Sequence, residues 1–133
     1  MLHLIKLAVG AESLEHLERL QRDAGGPPVV RTRSAPRRRE EVLAGGSIYR
    51  VITGLILCRQ RILDIESVER PDGSNGTLIL LDDTIVPVEP RPARPFQGWR
   101  YLDPKEAPRD LETRAFAQLP ASLSRELGRL GLL

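Results

Sequence analysis

Residues 94 to 101, Arg-Pro-Phe-Gln-Gly-Trp-Arg-Tyr, hold the chain's only tryptophan, one of its two phenylalanines, one of its two tyrosines and two arginines. Rings offer flat faces for stacking, and guanidinium groups offer planar donors that match phosphate and base edges. In an extended segment Trp99 and Tyr101 share one face and Arg100 takes the other. A base stacked on Trp99 contributes about 1 to 3 kcal/mol, with Gln97 and Arg100 placed to add hydrogen bonds. Two further pairs obey the strand period: Arg31 with Arg33, and Arg59 with Arg61. If their strands are neighbours, four guanidiniums gather into one patch able to hold phosphates. The expected site is therefore Arg31, Arg33, Arg59, Arg61, Gln97, Trp99 and Arg100, and the expected ligand is nucleic acid, RNA above DNA, or a nucleotide. The competing reading makes the arginine pairs an outward polar face against an acidic turn, with Trp99 and Phe96 filling the end of a barrel.

Other chemistries find less support. The only histidines, His3 and His16, fall on different elements with no cysteine pair beside them, so no metal is expected. No cofactor motif stands in the chain, and the Gly-x-x-x-x-Gly-Lys phosphate loop is missing. Cys58 lies within Leu55-Ile-Leu-Cys58, reads as a small buried residue and has no intrachain partner. Neither histidine lies in sequence near Cys58 or a glycine-flanked serine, so no catalytic residue is assigned. One enzymatic alternative is a small hydrolase or nuclease using Lys6 and Glu66, both expected on strands. A third reading is a protein-interaction subunit, possible as a homodimer, using C-terminal leucines.

Charge is unevenly spread. Residues 29 to 61 carry eight arginines against two glutamates, while residues 62 to 86 carry six acids against one arginine. Such asymmetry makes a basic and an acidic face on one small body. Eighteen of the twenty basic residues are arginine, which a GC-rich coding sequence also produces. The apolar runs are far too short to span a membrane, and the N-terminus lacks the order of a signal peptide, so a cytoplasmic protein is expected.

These residues must be positioned by a small set of elements. The length of 133 residues fits one domain, 1–133. Leu2 to Val9 reads as a strand. Glu12 to Ala24, capped by Ser13 and ended by Gly25-Gly26-Pro27-Pro28, reads as an amphipathic helix with Leu14, Leu17 and Leu20 on its stripe. A strand over Pro28 to Arg33, a short basic helix over Arg37 to Ala44, and strands at Ile48–Thr53 and Leu55–Leu63 come next, with Gly54 as the bend between the last two. Pro71 to Gly76 predicts a hairpin into Thr77–Leu81, and Asp82-Asp83 a turn into Thr84–Val88. Prolines 87, 90, 92 and 95 confine the next stretch to an edge. Phe96–Leu102 closes the sheet, Asp103-Pro104 opens a brief helix, and Leu119, Leu123, Leu127 and Leu130 mark a C-terminal helix. The order predicts an α+β fold with a strongly curved, mostly antiparallel sheet and flanking helices.

The opening Leu2-His-Leu-Ile-Lys-Leu7, Gly45-Gly-Ser-Ile-Tyr49, Arg59-Gln-Arg-Ile62 and Arg94 to Leu102 together resemble a bacterial family of unknown function over nearly the whole chain. The basic helix ending in glycine, the strand pair, the acidic turn and the late tryptophan segment resemble, more distantly, the ASCH, EVE and PUA group of small β-barrels. That likeness implies a PUA-like pseudo-barrel with a cleft that takes RNA or modified bases. Some ASCH members are hydrolases or nucleases.

Overall fold

The computed structural model describes residues 1–111. Along them run β1 (His3–Leu7), α1 (Leu14–Ala24), β2 (Val29–Thr32), α2 (Arg39–Leu43), β3 (Ser47–Ile52), β4 (Leu55–Glu69), β5 (Asn75–Leu81), β6 (Val86–Pro92) and β7 (Trp99–Leu102). The expected C-terminal leucine helix lies outside the described residues.

The strands form one mixed, mostly antiparallel sheet in the order β2-β5-β4-β3-β1-β7, with β6 also paired to β4. Among the described strands only β1 and β3 run parallel, a pairing that needs the long connection supplied by α1, β2 and α2. The fifteen residues of β4 are its spine. The first part of β4 lies between β3 and β6, and the part from Ile62 onward pairs with β5. Register shifts between Ile56 and Cys58 and between Ile62 and Asp64 mark bulges, which bend the strand and turn one half of the sheet toward the other. The Ile62 N–H reaches Gly46 O on the β3 side, and Arg61 O accepts from the Asp82 N–H on the opposite side. Thus β5 and then β6 run along one edge of β4, interrupted by a bend at Asp82, whose carboxylate accepts from the Thr84 N–H (2.8 Å). The prolines of β6 are accommodated at this margin, where among the described residues its outer side makes only a bridge from Val88 to Asp110. The sheet does not close by hydrogen bonds between β2 and β7.

Local chemistry accounts for the helices. Ser13 Oγ accepts from the His16 N–H (3.1 Å) to start α1, and Gly25 ends it at φ 69°. Leu14 and Leu17 are buried but Leu20 is 40% exposed. The inward stripe continues instead to Gln21, whose side-chain amide exchanges hydrogen bonds with that of buried Gln60 (2.8 and 3.0 Å). The second helix is shorter than expected and anchors through Val42, which is fully buried. Among the described residues no helix follows β7. Asp103 Oδ1 accepts from the Lys105 N–H (2.8 Å), so the Asp-Pro pair makes a turn, a competing use of an aspartate that also suits a cap.

Three apolar clusters fill the structure. The largest joins Leu2, Leu4 and Ile48 from one half of the sheet to Ile65 and Ile79 from the other, with Val42 of α2 among them. A second, on the opposite face of β1 and β3, packs Ile5, Tyr49 and Val51 against Val88 and Leu102. A third seats Leu14 and Leu17 of α1 on Ile52, Leu57 and Cys58. Burial pushes the Cys58 thiol up to about 12, with Arg50 opposing, so it remains a protonated apolar side chain.

Candidate nucleic-acid interface

On β2, Val30 enters the main cluster, and Arg31 and Arg33 therefore face outward. Arg31 stands opposite Leu78 of β5. Beyond β5, the hairpin turn returns Arg70 to the same region, where its aliphatic stem lies over Gly76. A Cβ there would fall 2.9 Å from Arg70 Cγ, so the missing side chain makes the room. Arg31, Arg33 and Arg70 line a groove of about 490 Å³, with Thr32 and Glu69 also on its wall. None of the three makes an ion pair among the described residues. The alternation of β2 reveals the first two. Arg70 is missed by that pattern because it acts from a turn, although the Arg-Pro-Asp-Gly-Ser-Asn-Gly hairpin supplies the signal.

The other expected arginines are used differently. Arg59 Nε and Nη2 donate to the two carboxylate oxygens of Asp110 (2.7 Å each), and Nη1 donates to Ser47 Oγ (3.0 Å). The carboxylate's hydrogen bond raises the Arg59 guanidinium, and the same bond holds the Asp110 carboxyl below the usual range. Arg59 thus ties the segment after β7 to the sheet. Arg61 is exposed on the same face, two residues along. It does not join Arg31. Between them lie β5 and, on β4, Asp64 and Glu66, with Glu66 in register with Leu78. The expectation of one patch from all four arginines is corrected by this strand order. Asp64 is itself bonded to Arg39 (2.9 Å), and Arg38 pairs with Glu41.

At the far edge of the sheet, β7 pairs only with β1 among the described residues. Trp99 is half-buried against the main cluster, and its indole N–H donates to Ser34 O (2.9 Å), just past Arg33. Tyr101 meets it edge-on, ring centroids 5.0 Å apart, and the Tyr101 hydroxyl accepts from the Arg38 N–H (3.1 Å). These contacts bring the loop after β2 to β7, so the two ends of the sheet approach through side chains. Arg100 lies on the opposite face, its guanidinium 5.0 Å from the Phe96 ring centre, and Gln97 is exposed in the preceding turn. Of the seven expected residues, Arg31 and Arg33 share the groove, and Trp99, on the inward face, reaches only Ser34 O in the loop just past Arg33. Arg59, Arg61 and Arg100 lie, like Arg31, on the face away from the main cluster but on other strands, and Gln97 makes no side-chain hydrogen bond among the described residues.

Lys6 and Glu66 are not brought together. Lys6 shares the inward face of β1 with Leu4, whereas Glu66 sits on the outward face beside Leu78. Lys6 instead stands between Trp99 on β7 and Arg50 on β3, directly in register with both. Among the described residues there is no group of three His, Cys, Asp or Glu side chains able to hold a metal, and no helix long and apolar enough to cross a membrane.

The geometry defines an α+β protein with an open, mixed, mostly antiparallel seven-stranded sheet and an arginine groove at one end. The chain belongs to the DUF1489 family, described as proteins of unknown function, whose model matches residues 4–133. No curated protein and no solved structure matches it.

Proposed function

We propose that this chain is a cytoplasmic RNA-binding module that takes the phosphate backbone in the groove of Arg31, Arg33 and Arg70. The observation that carries this reading is that three arginines line one groove against a single lining acid, Glu69, and that none of them makes an ion pair among the described residues. Three other arginines, Arg38, Arg39 and Arg59, are instead paired with Glu41, Asp64 and Asp110. A planar guanidinium with free donors suits phosphate oxygens, and releasing condensed counterions drives the association. Trp99 and Tyr101, bonded to Ser34 O and to the Arg38 N–H in the chain that follows Arg33, are the aromatic surface this reading assigns to a base. The near approach of β7 to the loop after β2 also supports a PUA-like pseudo-barrel, completed by side chains where hydrogen-bonded closure is missing.

The test is retention of a labelled single-stranded RNA pool at low salt by the wild-type chain and by an Arg31→Ala/Arg33→Ala variant. Two lost charge-assisted contacts weaken binding at least about tenfold. Arg59→Ala, which removes a structural tether, leaves the affinity within about twofold because it contacts no phosphate in this reading. Equal retention by the groove variant and wild type overturns the proposal.

A further inference from the structure

Arg50 is the one charged side chain in Ser-Ile-Tyr-Arg-Val-Ile, and it points inward. Its same-face neighbours along β3 are Ile48 of the main cluster and Ile52 of the cluster under α1. It is 8% exposed, and its Nε is buried with no hydrogen-bond partner among the described residues. A single contact remains, from Nη2 to Leu7 O at 3.3 Å. On the strand to one side stands Lys6, in register; on the other stands Cys58. Neither Arg50 nor Lys6 makes a salt bridge among the described residues.

Two adjacent cations facing the interior without an anion are costly. A buried ion must be paired and hydrogen-bonded, and like charges side by side add repulsion. The strain is visible in both groups: burial lowers the Lys6 pKa, with Arg50 pressing the same way, and burial also lowers that of Arg50. Replacing Arg50 by an apolar side chain of similar length would relieve this cost, so stability alone gives no reason for it. Lys6 and Trp99 are only partly buried, and the rung from Trp99 through Lys6 to Arg50 therefore leads from the β7 edge into the interior.

We propose that Lys6 and Arg50 form a binding site for a phosphate-type oxyanion, reached from the β7 edge beside Trp99. The lysine supplies a compact charge and the arginine a fork of donors, the division of labour that phosphoryl groups favour. The site lies on the inward face of the sheet and does not depend on the outer groove. Its anion comes either free or as the phosphate of a nucleotide with its base toward Trp99.

The test is the thermal midpoint of the full chain with added inorganic phosphate, against sodium chloride at matched ionic strength. Phosphate at about ten times its dissociation constant raises the midpoint saturably by roughly 4 °C. Arg31→Ala/Arg33→Ala keeps that rise, whereas Lys6→Gln and Arg50→Met lose it. Lys6 is partly exposed, so its variant folds and carries the test even if the Arg50 variant does not. Adenosine and adenosine monophosphate form the second arm. A larger rise with the monophosphate than with inorganic phosphate identifies a nucleotide, and an equal rise identifies the free ion. No saturable rise in wild type, or an undiminished rise in Lys6→Gln, overturns the proposal.

Discussion

Arg31-Thr-Arg33 and Arg59-Gln-Arg61 look alike as strings, each an arginine pair at strand spacing, yet they have different roles. Arg59 is spent on Asp110 and Ser47, and so it fastens the chain after β7 onto the sheet. Arg31 and Arg33 make no ion pair among the described residues and share their groove with a third arginine and Glu69. Residue type and period therefore decide which way a side chain points, but not what it does. That depends on whether the fold delivers a carboxylate, which is a long-range matter: Asp110 is 51 residues from Arg59. The comparison separates a fixed region from one available to a ligand.

The fixed region breaks most severely at Gly46. A Cβ there would lie 2.1 Å from Leu2 O and 2.4 Å from Val42 O, both backbone atoms. Gly46→Ala is expected to cost about 3 kcal/mol, because the start of β3 must separate from β1 and α2. Urea unfolding measures this. Arg59→Ala comes next, at roughly 1 kcal/mol, since the pair is partly exposed and solvent screening limits its value. Asp110→Asn weakens the same tether. By contrast, Arg31→Ala/Arg33→Ala shifts stability by no more than about 0.5 kcal/mol, the usual range for exposed sites. A large loss there would erase the distinction drawn between the two pairs.

The smallest expected effect is on pH dependence. His3 lies near the Arg59 tether, with its ring edge-on to Tyr49 and its Nδ1 accepting from the Ser47 N–H (2.9 Å). Burial, assisted by Arg59, lowers its pKa from 6.5. The unfolded chain therefore takes up a proton at a pH where the folded chain still refuses it. The His3 contribution is intact above about pH 6.5 and is lost progressively as the pH falls toward the folded value. Thermal midpoints across this window should decline in wild type and decline less in His3→Asn, which keeps an acceptor without the titration.

Much of the fold is written in local pattern. Alternation in Val29–Thr32 turns Arg31 outward, Ser13 and Gly25 bracket α1, and prolines hold β6 to a margin. The bulges of β4 are harder to read. Residues 62 to 65 break the period of two, so that both Ile62 and Ile65 face the core, and counting along the strand cannot align the arginines before the break with the acids beyond it. Strand neighbours are likewise invisible locally, and they separate Arg61 from Arg31. Trp99 packs on the core, as the competing reading has it, and its indole N–H is taken up by Ser34 O. Arg50 is detectable as a lone charge within a strand of otherwise uncharged residues, but its isolation from acids requires the fold.

The most direct test of the groove is the salt dependence of RNA affinity. For a single strand, the logarithm of affinity falls with the logarithm of salt by about 0.7 for each phosphate neutralised. Removing Arg31 and Arg33 together should reduce the slope by about 1.4. An unchanged slope in that variant, with binding still saturable, would contradict the assignment of phosphate contacts to these residues.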